Sequence, residues 1–293
     1  MILLLLACHK DSGSSDSATS DTPYLLPDEQ GADDAPAFEP ETIERAIDEA
    51  IAVFQTLDPT PIIAAYDEAL TQADGGCPAW YTSDGMPVWY DSCTTKAGTT
   101  FDGYGYRVSY DGYFDGYTTY TGAAIGAVAN IETADGDFFT INGVVYDLHG
   151  ENIDGMGVAY TQISGDIEYS GNPTPGVVPT FTRSVYALPG GVGINIDGSV
   201  SGLSGELEAT AFDDVYLVDE GTGMSDCSAE PSGVISVLEK ESGAWIDLVF
   251  DPHVEENAIA TDQASDCDGC AAAWWGSQYL GQACADFSPW LAQ

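Results

Sequence analysis

The chain has 293 residues, 44% of them hydrophobic, with 48 acidic against six basic side chains and a formal charge of −42. That is enough apolar material for one large domain or two small ones, and it excludes global disorder. The charge excludes nucleic acid as a partner, because such binding neutralises phosphates with Lys and Arg, and it excludes charge-driven docking on anionic lipid. It reads either as a highly solvated surface or as one that collects divalent cations or basic partners.

The first element is the stub MILLLLAC, followed by DSGSSDSATSDTPYLLPDEQGADDAPAFEP. Leu5-Leu6-Ala7-Cys8 resembles the lipobox of bacterial lipoproteins, and the whole chain resembles acidic, cysteine-stapled secreted lipoproteins of Gram-negative bacteria. The resemblance implies that residues 1–7 are a truncated signal peptide, that the Cys8 thiol is diacylated and that the signal is cut just before it. It implies a cell-envelope location, at the outer membrane, with the bilayer as a partner through the anchor. Stable anchoring takes more than one acyl chain, at about 0.8 kcal/mol per buried methylene. Residues 8–40, rich in Ser, Asp, Thr, Pro and Ala, read as a flexible acidic tether that cannot bury enough surface to order itself. No other apolar run approaches the roughly 20 residues that span a bilayer.

Residues 41–76 read as a helical hairpin. Ile43, Ala46, Ile47, Ala50, Ile51 and Phe54 recur at spacings of three and four, which makes one buried stripe. Pro40, Glu41 and Glu44 suit a first turn. The stripe stops at Asp58-Pro59. Thr60 and Pro61 then read as a cap and first position of a second helix, with Ile63, Tyr66 and Leu70 on its stripe and Asp74-Gly75-Gly76 at its end.

From Cys77 onward the texture is that of strands. Short runs rich in Tyr, Val, Ile, Thr and Phe alternate with Asp-Gly, at Asp84, Asp102, Asp111, Asp115, Asp135, Asp154, Asp197 and Asp268. Asp-Gly and Asn-Gly favour tight hairpin turns because the central residues need positive φ. Asn142-Gly143, flanked by Phe139, Ile141, Val144, Tyr146 and Leu148, predicts a hairpin. In the run at 205–212, Leu207, Ala209 and Ala211 alternate with Glu206, Glu208 and Thr210, which predicts an apolar inner and a wet outer face. The expected fold class is mainly β. Residues 77–293 form an antiparallel meander, as a twisted sheet or barrel-like closure, which the helical hairpin precedes and a disulfide-closed cap ends. Short strands carrying acids argue against an outer-membrane barrel.

Of seven cysteines, setting Cys8 aside leaves six, an even number that suits three disulfides in an oxidising compartment. The expected pairs are Cys77–Cys93, across a turn at Asp84-Gly85, Cys270–Cys284, and Cys227–Cys267. Cys267-Asp-Gly-Cys270 is a CxxC. It lacks the second CxxC of a zinc ribbon, the βαβ context of a redox pair and the following His of a haem site.

Residues 101–120, FDGYGYRVSYDGYFDGYTTY, are the densest candidate site. Tyr104, Tyr106 and Tyr110 with Asp102, Asp111 and Asp115 have the makings of a sugar platform: flat rings stack on apolar sugar faces, and carboxylates accept from hydroxyls. The same acids offer oxygen ligands of the kind Ca²⁺ takes, without a complete calcium loop. High strand propensity and cross-strand pairing explain tyrosines equally well without a ligand. No Gly-x-Ser-x-Gly, His-Glu-x-x-His or phosphate-binding loop occurs, and His149 and His253 read as loop residues, so no enzyme is expected. The expected role is a lipid-anchored, non-enzymatic binding or structural one, with polysaccharide or divalent cations as partners. The alternatives are a carrier of a lipid or other apolar ligand in a curved half-barrel, and a carboxylate-dependent hydrolase, which needs two facing acids.

Overall fold

A computed structural model describes residues 38–56, 58–83, 86–173, 175–188, 191–202, 207–218, 231–240, 243–250 and 269–287. The lipobox, residues 8–37 of the tether, the turn expected at Asp84-Gly85, His253 and the Cys227–Cys267 pair lie outside these residues, whereas the last residues given to the tether are ordered: Phe38 packs against the core and Pro40 begins the first helix. Helix α1 (Pro40–Thr56) forms as its stripe requires, with Ile43, Ala46, Ile47, Ala50 and Ile51 all buried. Helix α2 (Pro59–Thr71) starts earlier than expected. Its cap is Asp58, in an extended conformation, whose side chain accepts from the Thr60 N–H at 2.8 Å. Asp58-Pro59 satisfies the same cap-then-proline rule two residues before Thr60-Pro61 does, and starting there buries Pro59 and Ile62 as well.

Among the described residues thirteen strands follow: β1 (Trp80–Ser83), β2 (Met86–Thr94), β3 (Thr100–Phe114), β4 (Thr118–Glu132), β5 (Phe138–Asn152), β6 (Gly157–Tyr169), β7 (Val178–Leu188), β8 (Gly191–Ser201), β9 (Leu207–Val218), β10 (Ser232–Glu239), β11 (Trp245–Phe250), β12 (Cys270–Trp275) and β13 (Gln278–Cys284). Each pairs antiparallel with the next in chain order, so the molecule is the expected antiparallel meander. The sheet has two edges, β1 and β13. The β13 edge is partly covered: Glu44 on α1 accepts from the Cys284 backbone N–H at 3.1 Å.

Three expectations need correcting. Asn142-Gly143 is not a turn: β5 runs straight through it, and Gly143 pairs with Gly165 of β6. Likewise Asp102-Gly103, Asp111-Gly112 and Asp197-Gly198 lie inside strands, whereas Asp115-Gly116, Asp135-Gly136 and Asp154-Gly155 do connect strands. The strands are also longer than expected, 15 residues in β3, β4 and β5. Finally, β9 has the opposite parity: Thr210 and Phe212 are buried, and Ala211 is only half-buried. Phe212 and the β-branched Val215 decide the face, and small alanines do not compete with them.

The register sorts the residues into two faces. One row, Ile125–Val145–Ile163–Phe181–Gly198–Phe212–Ile235–Leu248–Ala273, crosses β4 to β12 on the inner face. Its apolar side chains are buried. The same face receives the hairpin: α2 packs on β4, β5 and β6, and α1 on β9 and β13. A single sheet touched by one short hairpin both on β4–β6 and on its last strand, β13, must curl around it, so the helices lie on the concave side. Under α2 the next row is small, Gly105–Ala127–Gly143–Gly165, a trough that admits the helix. The convex face carries Ser164, Thr180, Ser199, Ser236 and Asp247 in one row, and Gln162, Thr182 and Asp197 in another. Along these rows the sheet is apolar inside and polar outside, the reverse of a membrane-spanning barrel. Among the described residues no helix is long and apolar enough to cross a membrane.

Two expected disulfides are present. Cys77–Cys93 ties the end of the hairpin to β2, with Cα atoms 5.9 Å apart. Cys270–Cys284 staples β12 to β13, where the two residues are register partners.

Candidate functional site

The convex face of β1–β6 is paved with aromatic rings, and its composition follows from strand alternation. Asp102, Tyr104, Tyr106, Val108 and Tyr110 project outward together because they are two apart. A bulge between Asp111 and Tyr113 then resets the phase, so Tyr113 faces Tyr120 and stays on the side of Tyr110, ring centroids 5.5 Å apart.

Two zones differ in burial. In the middle, Tyr106, Tyr110, Tyr120, Tyr146 and Tyr160 are half-buried and share the face with buried Ala124, Leu148 and Val158. Tyr146 and Tyr160 meet edge to face at 6.4 Å. Tyr106 lies across Gly126, where a Cβ would come within 2.3 Å of its ring. Burial, more than neighbouring phenols, pushes the Tyr106, Tyr110 and Tyr146 hydroxyls above their ordinary value, and Tyr160 up to about 12. These phenols are therefore neutral donors and acceptors at any ordinary pH.

Toward the β1 edge the rings are open. Tyr90 of β2 and Tyr104 of β3 are direct register partners, 69% and 43% exposed. Val128 and Asn142 continue that row on β4 and β5, Val128 itself 43% exposed. Exposed Tyr81 stands on the same face, in the row of Val88 and Tyr106. The adjacent outer row is polar throughout: Ser92, Asp102, Asn130, Thr140 and Glu168 on β2 to β6. Two open rings bordered by carboxylate, amide and hydroxyl groups can stack on a flat ligand and hydrogen-bond its rim.

Of the residues singled out in the sequence, Asp102, Tyr104, Tyr106 and Tyr110 share this face. Asp111 does not: it projects from the opposite side of β3. Asp115 is engaged elsewhere, since its Oδ1 accepts from the Tyr117 and Thr118 N–H groups at 2.8 and 2.7 Å and shapes the β3–β4 connection. Tyr90 and Asn130 went unnoticed because register alone brings them beside Tyr104 and Asp102. Among the described residues no three His, Cys, Asp or Glu side chains are grouped to hold a metal ion.

Three other places were candidates for chemistry. His149 Nε2 lies 3.1 Å from Asp147, whose other oxygen accepts from Thr60 Oγ1 at 3.3 Å. The carboxylate sits between imidazole and hydroxyl, so the order needed for base-assisted nucleophilic attack is wrong. Asp247 is 7% exposed, and burial pushes its carboxyl up while Ser236 Oγ, donating at 2.6 Å, draws it back. Its partner is a hydroxyl rather than a second acid. A crevice of about 240 Å³ remains on the concave side between the start of α2 and β6–β7, lined by Ile62, Ile163, Ile167 and Pro179, with Asp58 and Tyr169 also on its wall. No protein-family model, curated protein or solved structure matches the chain.

Proposed function

We propose that this is a lipid-anchored cell-envelope protein whose convex sheet face binds polysaccharide without chemical turnover. The observation that carries the binding reading is the open Tyr90–Tyr104 pair bordered by Asp102 and Asn130. Exposed neighbouring rings are costly to leave in water, and such patches mark binding surfaces. The anchor reading draws on Leu5-Leu6-Ala7-Cys8 and on the cysteines: with Cys77–Cys93 and Cys270–Cys284 bonded, oxidised folding outside the cytoplasm is the consistent setting. Divalent cations receive less support than glycan, because the described acids are not grouped.

Two measurements test it. Intact mass of protein made in a Gram-negative host should equal the chain from Cys8 onward plus fatty acyl groups; an unprocessed, unmodified mass removes the anchor. Co-sedimentation with insoluble polysaccharides should fall at least about tenfold in Tyr90→Ala/Tyr104→Ala, a loss of about 1.4 kcal/mol. Both positions are exposed, so circular dichroism should be unchanged. Retention of the double variant at the native level removes the platform.

A second reading, transport of a small apolar molecule, draws on the crevice beside α2. At about 240 Å³ the crevice has room for little more than one short chain or ring.

A further inference from the structure

We infer that the polysaccharide is amine-bearing, a polymer of deacetylated amino sugars, and not an acidic or simply neutral one. This rests on the glycan reading of the convex face and narrows it. Around the Tyr90–Tyr104 pair the charged side chains on the outer face are all acidic: Asp102 and Glu168 in the adjacent row, and Asp166 in the same row as Tyr104. The described cations lie elsewhere. Arg107 is on the concave side, paired with Asp67 on α2 at 2.8 Å. Arg183 shares a concave row with Asp147 and Thr161. Arg45 is on α1, Lys96 is in the β2–β3 turn, and Lys240 follows β10. An anionic glycan would meet unrelieved repulsion on this face, in a molecule of net charge −42.

The geometry suits a cationic sugar. Along one strand, residues two apart are separated by about 6.8 Å. Asp102 is the next outward residue along β3 from Tyr104, so a sugar stacked on Tyr104 with C2 turned toward that end brings its C2 substituent to the neighbourhood of Asp102. An ammonium there makes a charge-assisted hydrogen bond to the carboxylate, stronger than a neutral one, and it gains from the faces of the tyrosine rings. An N-acetyl group at the same place donates one amide N–H but carries no positive charge for the carboxylate or the ring faces to attract, and it adds bulk over the polar row.

The experiment is co-sedimentation of the full chain with covalently cross-linked chitosan beads, which stay insoluble in acid, and with chitin and cellulose, in mildly acidic buffer where both the polymer amines and the carboxylates are charged. The expected result is retention on chitosan at least about tenfold above chitin and cellulose, falling steeply between about 0.05 and 0.5 M NaCl. Asp102→Asn should weaken chitosan retention several-fold and leave the neutral polymers unaffected. Asp135→Asn, in the β4–β5 connection, carries the same change in net charge and should alter nothing. Tyr90→Ala/Tyr104→Ala should lose chitosan despite unchanged charge. Equal retention on all three polymers, with the tyrosine variant losing all of them, overturns the amine specificity and leaves the glycan platform standing. Chitosan retention that survives the tyrosine double variant is a bulk polyanion effect and overturns the inference. Retention on none of the three overturns both.

Discussion

Gly165→Ala should lower the unfolding free energy by about 4 kcal/mol, a large share of the 5–15 kcal/mol that holds a typical domain. Two costs combine. Gly165 has φ 123°, a region L side chains rarely adopt, worth about 1–3 kcal/mol. Its Cβ would also stand 2.1 Å from the Asn142 carbonyl oxygen and 2.7 Å from the Gly143 Cα. Those are backbone atoms of the partner strand, so no rotamer change relieves the clash, and overpacking adds about 1–3 kcal/mol. The contact is reciprocal, since a Cβ on Gly143 would meet the Ser164 oxygen at 1.9 Å. Strands β5 and β6 thus approach at a glycine pair directly beneath α2. Gly75→Ala is the control: nothing lies within 4 Å of its Cβ position, and the change should stay within about 0.5 kcal/mol. Chemical denaturation of the three proteins measures the difference. A Gly165→Ala midpoint close to that of Gly75→Ala would mean that the two strands do not meet as described.

That glycine pair also shows where sequence reading reaches its limit. Asn142-Gly143 has the same local chemistry as a hairpin turn, and only the partner strand decides between turning and straight passage. Asp115-Gly116 turns, while Asp102-Gly103 and Asp197-Gly198 serve close backbone approach within strands. The meander itself was legible, because Tyr, Val, Ile and Thr runs without helical stripes leave few alternatives, and α1 was legible because its stripe is local. Parity in β9 was not, since Leu207, Ala209 and Ala211 alternate as neatly as Thr210 and Phe212, and bulk settles the contest only when the facing helix is known. At the candidate site, Tyr104 and Asp102 followed from alternation along one strand. Tyr90 lies 14 positions earlier and joins them only through the register of β2 with β3. Asp111 and Asp115 were grouped by density along the chain, which ignores the side each residue takes.

Tyr66 offers the sharpest test of how the hairpin is seated. It is 0% exposed, accepts a hydrogen bond from Trp89 Nε1 at 2.8 Å and stands edge-on to Phe139 at 5.6 Å. Tyr66→Ala should cost about 3–5 kcal/mol through the cavity left between α2 and the sheet. Tyr66→Phe keeps the ring and removes only the acceptor, which strands the buried indole N–H at a cost of about 1–3 kcal/mol. The pH dependence separates these effects. Burial pushes the Tyr66 hydroxyl up to about 12, against the ordinary value of 10.0. Above pH 10 the unfolded chain releases this proton and the folded chain holds it, so the unfolded state binds fewer protons. The contribution is complete below pH 10 and is lost as pH rises toward 12, to the extent of about 2–3 kcal/mol. The wild-type protein should therefore lose stability steeply from pH 10 to 12, with Tyr160 and the other half-buried phenols of the convex face adding to the slope. Tyr66→Phe has no such proton to release, so its slope is shallower. The deficit of the variant, full at pH 7, should shrink through pH 11. A gap between the two proteins that stays constant from neutral to alkaline pH would place the Tyr66 hydroxyl in water, and with it the helix away from Trp89.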